Sequence, residues 1–255
     1  MENSNHFNVI VIGAGISGIG AGYYLKKNCP NKSFCIIEGR ENIGGTWDLF
    51  KYPGIRSDSD MFTLGYAFKP WKEQKTIANG PSILNYLEET VEENNLREKI
   101  KFSHKVLSAN WNSGSQKWEV RAAHHEQEIL LTANFLFMGT GYYNYDEGYT
   151  PDFNDLNKYE GKLIHPQKWP EDYDYTDKKM VVIGSGATAA TIIPELSKKA
   201  KHVTMLQRSP TYYFPSPDED RFANFLKKIL PSKMSYPVVR LRIVFFQQLL
   251  YRICR

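Results

Sequence analysis

Residues 8–18 read Asn-Val-Ile-Val-Ile-Gly-Ala-Gly-Ile-Ser-Gly, a β-branched apolar run that breaks straight into G-x-G-x-x-G. An uninterrupted apolar run of this length predicts a strand buried on both faces of a parallel sheet. The segment after the glycines predicts a helix that stops near Asn28-Cys29-Pro30. Ser33 to Ile37 then predict a second strand, which ends at Glu38. Strand, glycines, helix, strand and acid occur in the order of a dinucleotide-binding unit, with the acid about 20 residues past the last glycine. Gly13, Gly15 and Gly18 permit a tight turn and close approach of backbone to a pyrophosphate at the helix N-terminus. Glu38 can accept both hydroxyl protons of a ribose, and a carboxylate there would repel a 2′-phosphate, so FAD or NAD fits.

The next segment favours FAD. Ile43-Gly44-Gly45-Thr46-Trp47-Asp48-Leu49 places a second glycine pair just after the Glu38 strand, where two-dinucleotide flavoproteins wrap the flavin side of the cofactor. Tyr52 to Asp60 come next as a polar loop, read on composition as a plain surface turn. Residues 81–95 predict a helix with Ser82 as its N-cap. Ile100 to Phe137 predict short strands in a small meander, with a turn at Asn112-Ser113-Gly114. Phe135 to Met138 predict one more buried strand, closed by Gly139-Thr140-Gly141, which serves either as a cofactor approach or as a simple strand-end turn.

The opening pattern then repeats. Met180 to Ile183 lead into Gly184-Ser185-Gly186-Ala187-Thr188-Ala189, a helix, and the strand His202 to Leu206. This strand ends in Gln207-Arg208-Ser209, with no acid. A guanidinium at Arg208 can hold a 2′-phosphate bidentately, which favours NADP over NAD; a surface arginine is the alternative. The fold class is therefore α/β: two Rossmann-like dinucleotide-binding domains with parallel sheets and a small meander, the second domain incomplete. Residues 1–143 are expected to bind FAD and 144–255 NADP, with hydride passing from NADPH to flavin.

Composition excludes several other classes. The formal net charge is +4 with no long Lys/Arg run, which argues against a dedicated nucleic-acid binder. Cys29, Cys35 and Cys254 are too scattered for a zinc site or a disulfide framework, and suit a reducing, cytoplasmic setting. His124-His125 lies in a polar turn with no cysteine nearby and is not read as a metal site. Asp218-Glu219-Asp220 reads as a solvated loop. The N-terminus shows no secretory pattern. Residues 234–255 mix arginines with apolar side chains; a peripheral contact with a membrane is one reading, a helix lacking its covering partner the favoured one. A pyridine-nucleotide disulfide reductase would share the fold, but needs a redox cysteine pair near the flavin, and Cys29 and Cys35 occupy the wrong segments.

Between the two glycine motifs, Tyr159-Glu160-Gly161-Lys162-Leu163-Ile164-His165-Pro166-Gln167-Lys168-Trp169-Pro170 resembles the Baeyer–Villiger monooxygenase fingerprint, F-x-G-x-x-x-H-x-x-x-W-[P/D]. Gly161, His165, Trp169 and Pro170 match, and Tyr159 replaces Phe. Residues 44–50, 52–61, 141–149 and 207–212 are similar to the ethionamide-activating branch of that family. The resemblance implies FAD contacts at Gly13, Gly15, Ser17, Gly18, Glu38, Gly44, Gly45, Thr46, Trp47, Asp48, Leu49 and Asp58, and at the backbone near Val106. It implies NADP contacts at Arg56, Ser57, Asp58, Gly184, Ser185, Gly186, Ala187, Thr188, Ala189, Arg208 and Ser209. Asp58 and His165 are the implied catalytic residues, and residues 159–170 the domain linker. The implied chemistry is oxygenation of a small ketone, sulfide or thioamide by molecular oxygen through a flavin peroxide. Family members also carry a catalytic arginine past the ribose-reading strand of the NADP domain. Arg240, Arg242, Arg252 and Arg255 do not match that position, so a truncated chain is expected, with an inactive nucleotide-binding remnant or a peroxide-releasing NADPH oxidase as the alternatives.

Overall fold

The computed structural model describes residues 5–213 and 217–254. The described chain forms two compact units. One comprises residues 1–50 and 83–167, the other residues 51–82 and 168–255. Residues 51–82 pack with the later half of the chain.

The first unit is built on β1 (His6–Ile12), α1 (Ile16–Asn28) and β2 (Phe34–Ile37). After β2 comes the single-turn α2 (Thr46–Leu49). β3 (Ile100–Lys101), β4 (His104–Asn112), β5 (Lys117–His124) and β6 (Gln127–Met138) complete a six-stranded sheet of order β3-β2-β1-β6-β5-β4. β1 pairs in parallel with β2 and β6, while β5 runs antiparallel to both β4 and β6 as the expected meander. Ile10 and Ile12 of β1, with Cys35 and Ile37 of β2, bury one face against Val120, Leu131 and Ala133. Val11 and Ile36 bury the other face beneath α1, which approaches so closely that a Cβ on Gly22 would lie 2.8 Å from Ile36. The continuous apolar runs thus do correspond to strands covered on both sides.

β6 departs from that expectation. Phe135 and Phe137 are 69% and 43% exposed, not buried. They pair in register with Val9 and Val11, so they share the face that α1 covers. α1 lies chiefly over β1 and β2, so that face of β6 is only partly covered by the described residues. The helix over 81–95 forms as α4 (Gly80–Glu93), preceded by a single-turn α3 (Met61–Leu64). The N-cap of α4 is not Ser82: the Asn79 Oδ1 accepts from the Ser82 amide at 2.8 Å, the Asx geometry of a cap three residues upstream.

The second unit centres on β7 (Lys179–Ile183), α5 (Ala187–Leu196) and β8 (His202–Leu206), with the two strands parallel. α5 buries Ala189, Ile192 and Leu196. On the strands, Val181 and Ile183 are 62% and 55% exposed, so this pair too is covered on one face only. α6 (Arg221–Ile229) and α7 (Ser232–Cys254) complete the unit. Asp218 and Glu219 are exposed, as expected of a solvated loop, but the segment is tied down at both ends. The Asp220 carboxylate accepts from the Ala223 amide as the N-cap of α6 and pairs with Arg242 of α7, and the Asp218 carbonyl accepts from the Thr76 amide at 2.7 Å. α7 is held to α3 by Tyr236, whose hydroxyl donates to the Phe62 carbonyl at 3.1 Å, and by Arg240, which donates to the same oxygen at 2.7 Å. Arg240 and Arg242 are therefore structural here; Arg255 lies outside the described residues. No described helix is long and apolar enough to cross a membrane.

Candidate nucleotide-binding site

In the first unit the chain turns sharply out of β1 at Gly13, where φ is +98°. Two of the motif glycines are required by packing. A Cβ on Gly13 would stand 2.5 Å from the Gly139 carbonyl oxygen, and one on Gly18 would stand 1.8 Å from the Gly13 oxygen. Gly15 differs: its φ is −80°, and an added Cβ would meet only the Gly45 backbone, its Cα at an ordinary 3.6 Å. Neither backbone strain nor crowding explains a glycine there. A glycine there leaves the mouth of α1 open, the geometry in which a loop backbone can approach a pyrophosphate. Ser17 lies in the first turn of the same helix.

Glu38 stands beside this mouth and is only 4% exposed. Its Oε2 accepts from the Ala14 amide at 2.8 Å and its Oε1 from the Arg40 amide at 3.0 Å. A carboxylate has about four acceptor directions, so lone pairs remain for two ribose hydroxyls. Gly44 and Gly45, at φ +112° and +55°, bend the next loop back over the first one. The Gly44 amide donates to the Ala14 carbonyl at 3.0 Å. Thr46, Trp47, Asp48 and Leu49 form α2 at the end of this bend. Val106 lies on β4 at a β-bulge, next to Lys105, whose Cα would contact a Cβ on Gly39 at 3.5 Å. The fold thus brings the glycine loop, Glu38, the 44–49 turn and the Val106 backbone to one end of the sheet. The Gly139-Thr140-Gly141 bend sits against Gly13, which makes Gly139 a close-packing glycine.

Two further residues hold this site: Arg40, outside every motif, and Tyr145, in the 141–149 segment. Arg40 sits 2.5 Å from the Asp48 carboxylate and donates to the backbone oxygens of Gly45 and Asp48 at 3.4 and 3.3 Å. It also lies over the Tyr145 ring. Arg40 therefore clamps the 44–48 turn, and nothing in the glycine motif fixes a cation at that position. Tyr145 places its hydroxyl near Gly45, where a Cβ would be 3.3 Å away. Burial, with Glu38 and Asp48 adding to it and Arg40 opposing, raises the Tyr145 pKa and keeps the phenol protonated. His165 packs its ring on Gly148 and accepts at Nδ1 from the Gln167 amide at 3.2 Å. The buried Gln167 side chain in turn donates to the Asn144 carbonyl at 2.6 Å. In this arrangement His165 braces the 141–149 segment.

The second unit repeats the first design with one change. Gly184 takes φ +124°, which requires glycine, and its amide donates to the Leu206 carbonyl at 2.8 Å. Gly186 is the N-cap of α5 at φ −81°, and an added Cβ would meet nothing within 4 Å. As at Gly15, neither strain nor crowding by a described residue calls for a glycine there. Ser185 belongs to this loop, and Ala187, Thr188 and Ala189 begin α5. Arg208 and Ser209 come directly after β8, both exposed.

The Tyr52 to Asp60 segment is no plain surface turn. Tyr52 and Ser57 are buried, and the Tyr52 phenol is hydrogen-bonded to Thr188; burial raises its pKa, with Asp58 adding to the shift. Gly54, at φ +78°, lies so close to α5 that a Cβ would meet Glu195 at 2.3 Å. Arg56 bridges to Asn79, and the Ser57 amide donates to the Ala78 carbonyl at 2.9 Å. Asp58 is exposed and lines a groove with Asp60, Asp220 and Arg242. The cysteines do not form a redox pair. Cys35 is buried and its thiol is pushed up to about 12 by desolvation, with Lys101 opposing, while Cys254 is exposed.

The chain is 51% identical over 253 residues to the FAD-containing monooxygenase EthA of Mycolicibacterium smegmatis, covering 99% of this chain and 51% of that one. Among solved structures, the open form of cyclohexanone monooxygenase superposes with a TM-score of 0.80 at 27% identity, covering 93% of this chain and 46% of that one. An OTEMO complex with FAD and NADP superposes at 0.77 and 27% identity, covering 91% and 44%. The chain spans about half the length of the curated relatives it matches. A family model described as pyridine nucleotide-disulphide oxidoreductase matches residues 10–221, most of the chain. The chain belongs to the pyridine nucleotide-disulphide oxidoreductase family.

Proposed function

We propose that this chain carries the FAD-binding and NADP-binding elements of an NADPH-dependent flavin monooxygenase of the Baeyer–Villiger type. The observation that carries the reading is the pair of middle glycines. Gly15 and Gly186 both have ordinary φ and room for a Cβ, and each sits at a helix N-terminus whose field favours a phosphate. The charged side chain at the end of each unit's second strand distinguishes the two cofactors. The buried Glu38 carboxylate receives ribose hydroxyls and excludes a 2′-phosphate, whereas the exposed Arg208 guanidinium can pair with one. When bound, FAD would supply the redox and oxygen-activating centre and NADPH the hydride.

The remaining residues position these groups. Arg40 and Tyr145 hold the Gly44 to Leu49 turn, and Tyr52 ties the Asp58 loop to α5 through Thr188. Asp58, with Arg56 and Ser57 beside it in sequence, is the exposed carboxylate this reading assigns to the NADP site. His165 holds the 141–149 segment. The substrate class that suits the reading is a small ketone, sulfide or thioamide, with molecular oxygen as co-substrate and no nucleic acid. Three free thiols suit a reducing cytoplasmic setting. Exposed Leu241, Phe245 and Ile253 among the arginines of α7 make a peripheral membrane contact a second feature to test. Purified chain saturated with FAD should consume NADPH in a flavin-dependent manner. NADPH consumption unaffected by removing FAD, or none at all, would refute the assignment.

A further inference from the structure

The phosphate loop of the second unit is tied to residues well beyond Arg208. The Ser185 and Thr211 hydroxyls share a hydrogen bond of 2.6 Å, and the Tyr213 hydroxyl donates to the Ser185 carbonyl at 2.8 Å. At its other end the same loop is fixed to the strand before Arg208, where Gly184 donates to the Leu206 carbonyl at 2.8 Å. Residues 207–210 thus form a short arch whose two feet stand on one loop. Arg208 lies in that arch, exposed, and Pro210 restricts the far side of the arch, at Ser209 and at its own position. A guanidinium on a long side chain discriminates a phosphate only if its origin is held relative to the rest of the ligand, because an unrestrained arginine loses rotamer freedom on pairing. The pyrophosphate end of the ligand would rest on Ser185 and Gly186, and the 2′-phosphate on Arg208.

We propose that Thr211 and Tyr213 are positioning residues that set nucleotide selectivity: by anchoring the arch to Ser185 they fix the distance between the pyrophosphate cradle and the 2′-phosphate reader. The proposal rests on the NADP reading of this site. Neither side chain need touch the nucleotide. Thr211 acts through the Ser185 hydroxyl and Tyr213 through the Ser185 carbonyl.

The test is calorimetric and independent of turnover. The intact chain is titrated with 2′,5′-ADP and with 5′-AMP, ligands that differ in the 2′-phosphate. Thr211→Val and Tyr213→Phe should each reduce the preference for 2′,5′-ADP about fivefold, the order expected of one neutral hydrogen bond, while 5′-AMP affinity and the unfolding midpoint stay unchanged. Thr211→Ser keeps the hydroxyl and should restore the preference. A Ser185→Ala, Thr211→Val pair should lose no more of the preference than Ser185→Ala alone, as expected of one shared contact. A purely structural role would lower the unfolding midpoint and weaken both ligands alike, which overturns the proposal. If Arg208→Ala abolishes the preference but Thr211→Val and Tyr213→Phe do not, the proposal fails and the NADP reading stands. If the unaltered chain shows no preference for 2′,5′-ADP, both fail together.

Discussion

At the scale of single residues, the glycines separate structure from ligand binding. Gly13 and Gly18 face backbone oxygens at distances no Cβ tolerates, so Gly18→Ala should unfold the first unit or cost several kcal/mol. Gly15 and Gly186 have room, and alanine there removes unfolded-state entropy. Gly15→Ala should therefore leave the melting temperature equal or slightly higher while FAD affinity falls. Gly186→Ala should do the same to NADPH affinity, and isothermal titration beside a thermal melt checks both. The acid and the cation give the second contrast. Glu38→Arg removes the acceptor of the Ala14 amide and places a cation where ribose donors would sit, so the purified variant should lose its yellow flavin spectrum. Arg208→Asp should weaken NADPH far more than NADH, by about 2–3 kcal/mol for one charge-assisted bidentate contact. Equal losses for the two nucleotides would make Arg208 a plain surface residue.

At the scale of elements, what the sequence displays depends on whether the determinant is local. β1, β2, β7 and β8, with α1 and α5, are legible because the apolar runs and the glycine spacing are contiguous. The Tyr52 to Asp60 segment looks like a surface turn in sequence because its partner, Glu195 on α5, is remote and composition carries no trace of it. Arg40 is illegible for the same reason: its role exists only after the 44–48 turn folds back. Asp220 shows both kinds of information at once. As the cap of α6 it is local, while its pairing with Arg242 is not. Asp220→Ala should lose about 1 kcal/mol for the cap, plus the cost of leaving the Arg242 side chain, 32% exposed, without its carboxylate. Urea unfolding measures the loss, and Asp220→Asn, which keeps a capping oxygen, should recover part of it.

The buried thiol of β2 gives a pH dependence at the same scale. The Cys35 pKa is raised from 9.0 to about 12 in the folded chain. Below pH 9 the thiol is protonated folded or unfolded and contributes no pH dependence. Above it the unfolded chain ionises first, so stability falls as pH rises from about 9 toward 12, by at most about 1.4 kcal/mol per pH unit. Tyr52, Tyr145 and Tyr236, whose pKa values are also raised by burial, add losses of the same sign above about pH 10. Cys35→Ala should remove the part of the decline that begins near pH 9, leaving the tyrosine part, as denaturant titrations at stepped pH would show.

At the scale of the whole molecule, apolar surface stands open on β6, on the β7–β8 pair and along α7, where Leu241 and Ile253 are each 71% exposed. Contiguous exposed apolar surface drives association, so the 255-residue chain should self-associate or recruit a partner, as sedimentation at rising concentration would reveal. Coupled oxygenation needs a reacting centre closed to water and a cation held against developing negative charge. Here Asp58 is exposed, and Arg240 and Arg242 are committed to Phe62 and Asp220. The isolated chain should therefore release hydrogen peroxide from NADPH and oxygen, with little ester or sulfoxide. Product formation well coupled to NADPH would contradict this.

The central claim is that the first glycine loop reads FAD and the second reads NADP. Anaerobic mixing of the FAD-saturated chain with NADPH or NADH, monitored by the loss of flavin absorbance, tests it most directly. Fast bleaching by NADPH, slow bleaching by NADH, and loss of the difference in Arg208→Asp are the predicted results. Equal rates with both nucleotides, or a chain that retains no flavin when supplied with excess FAD, would contradict it.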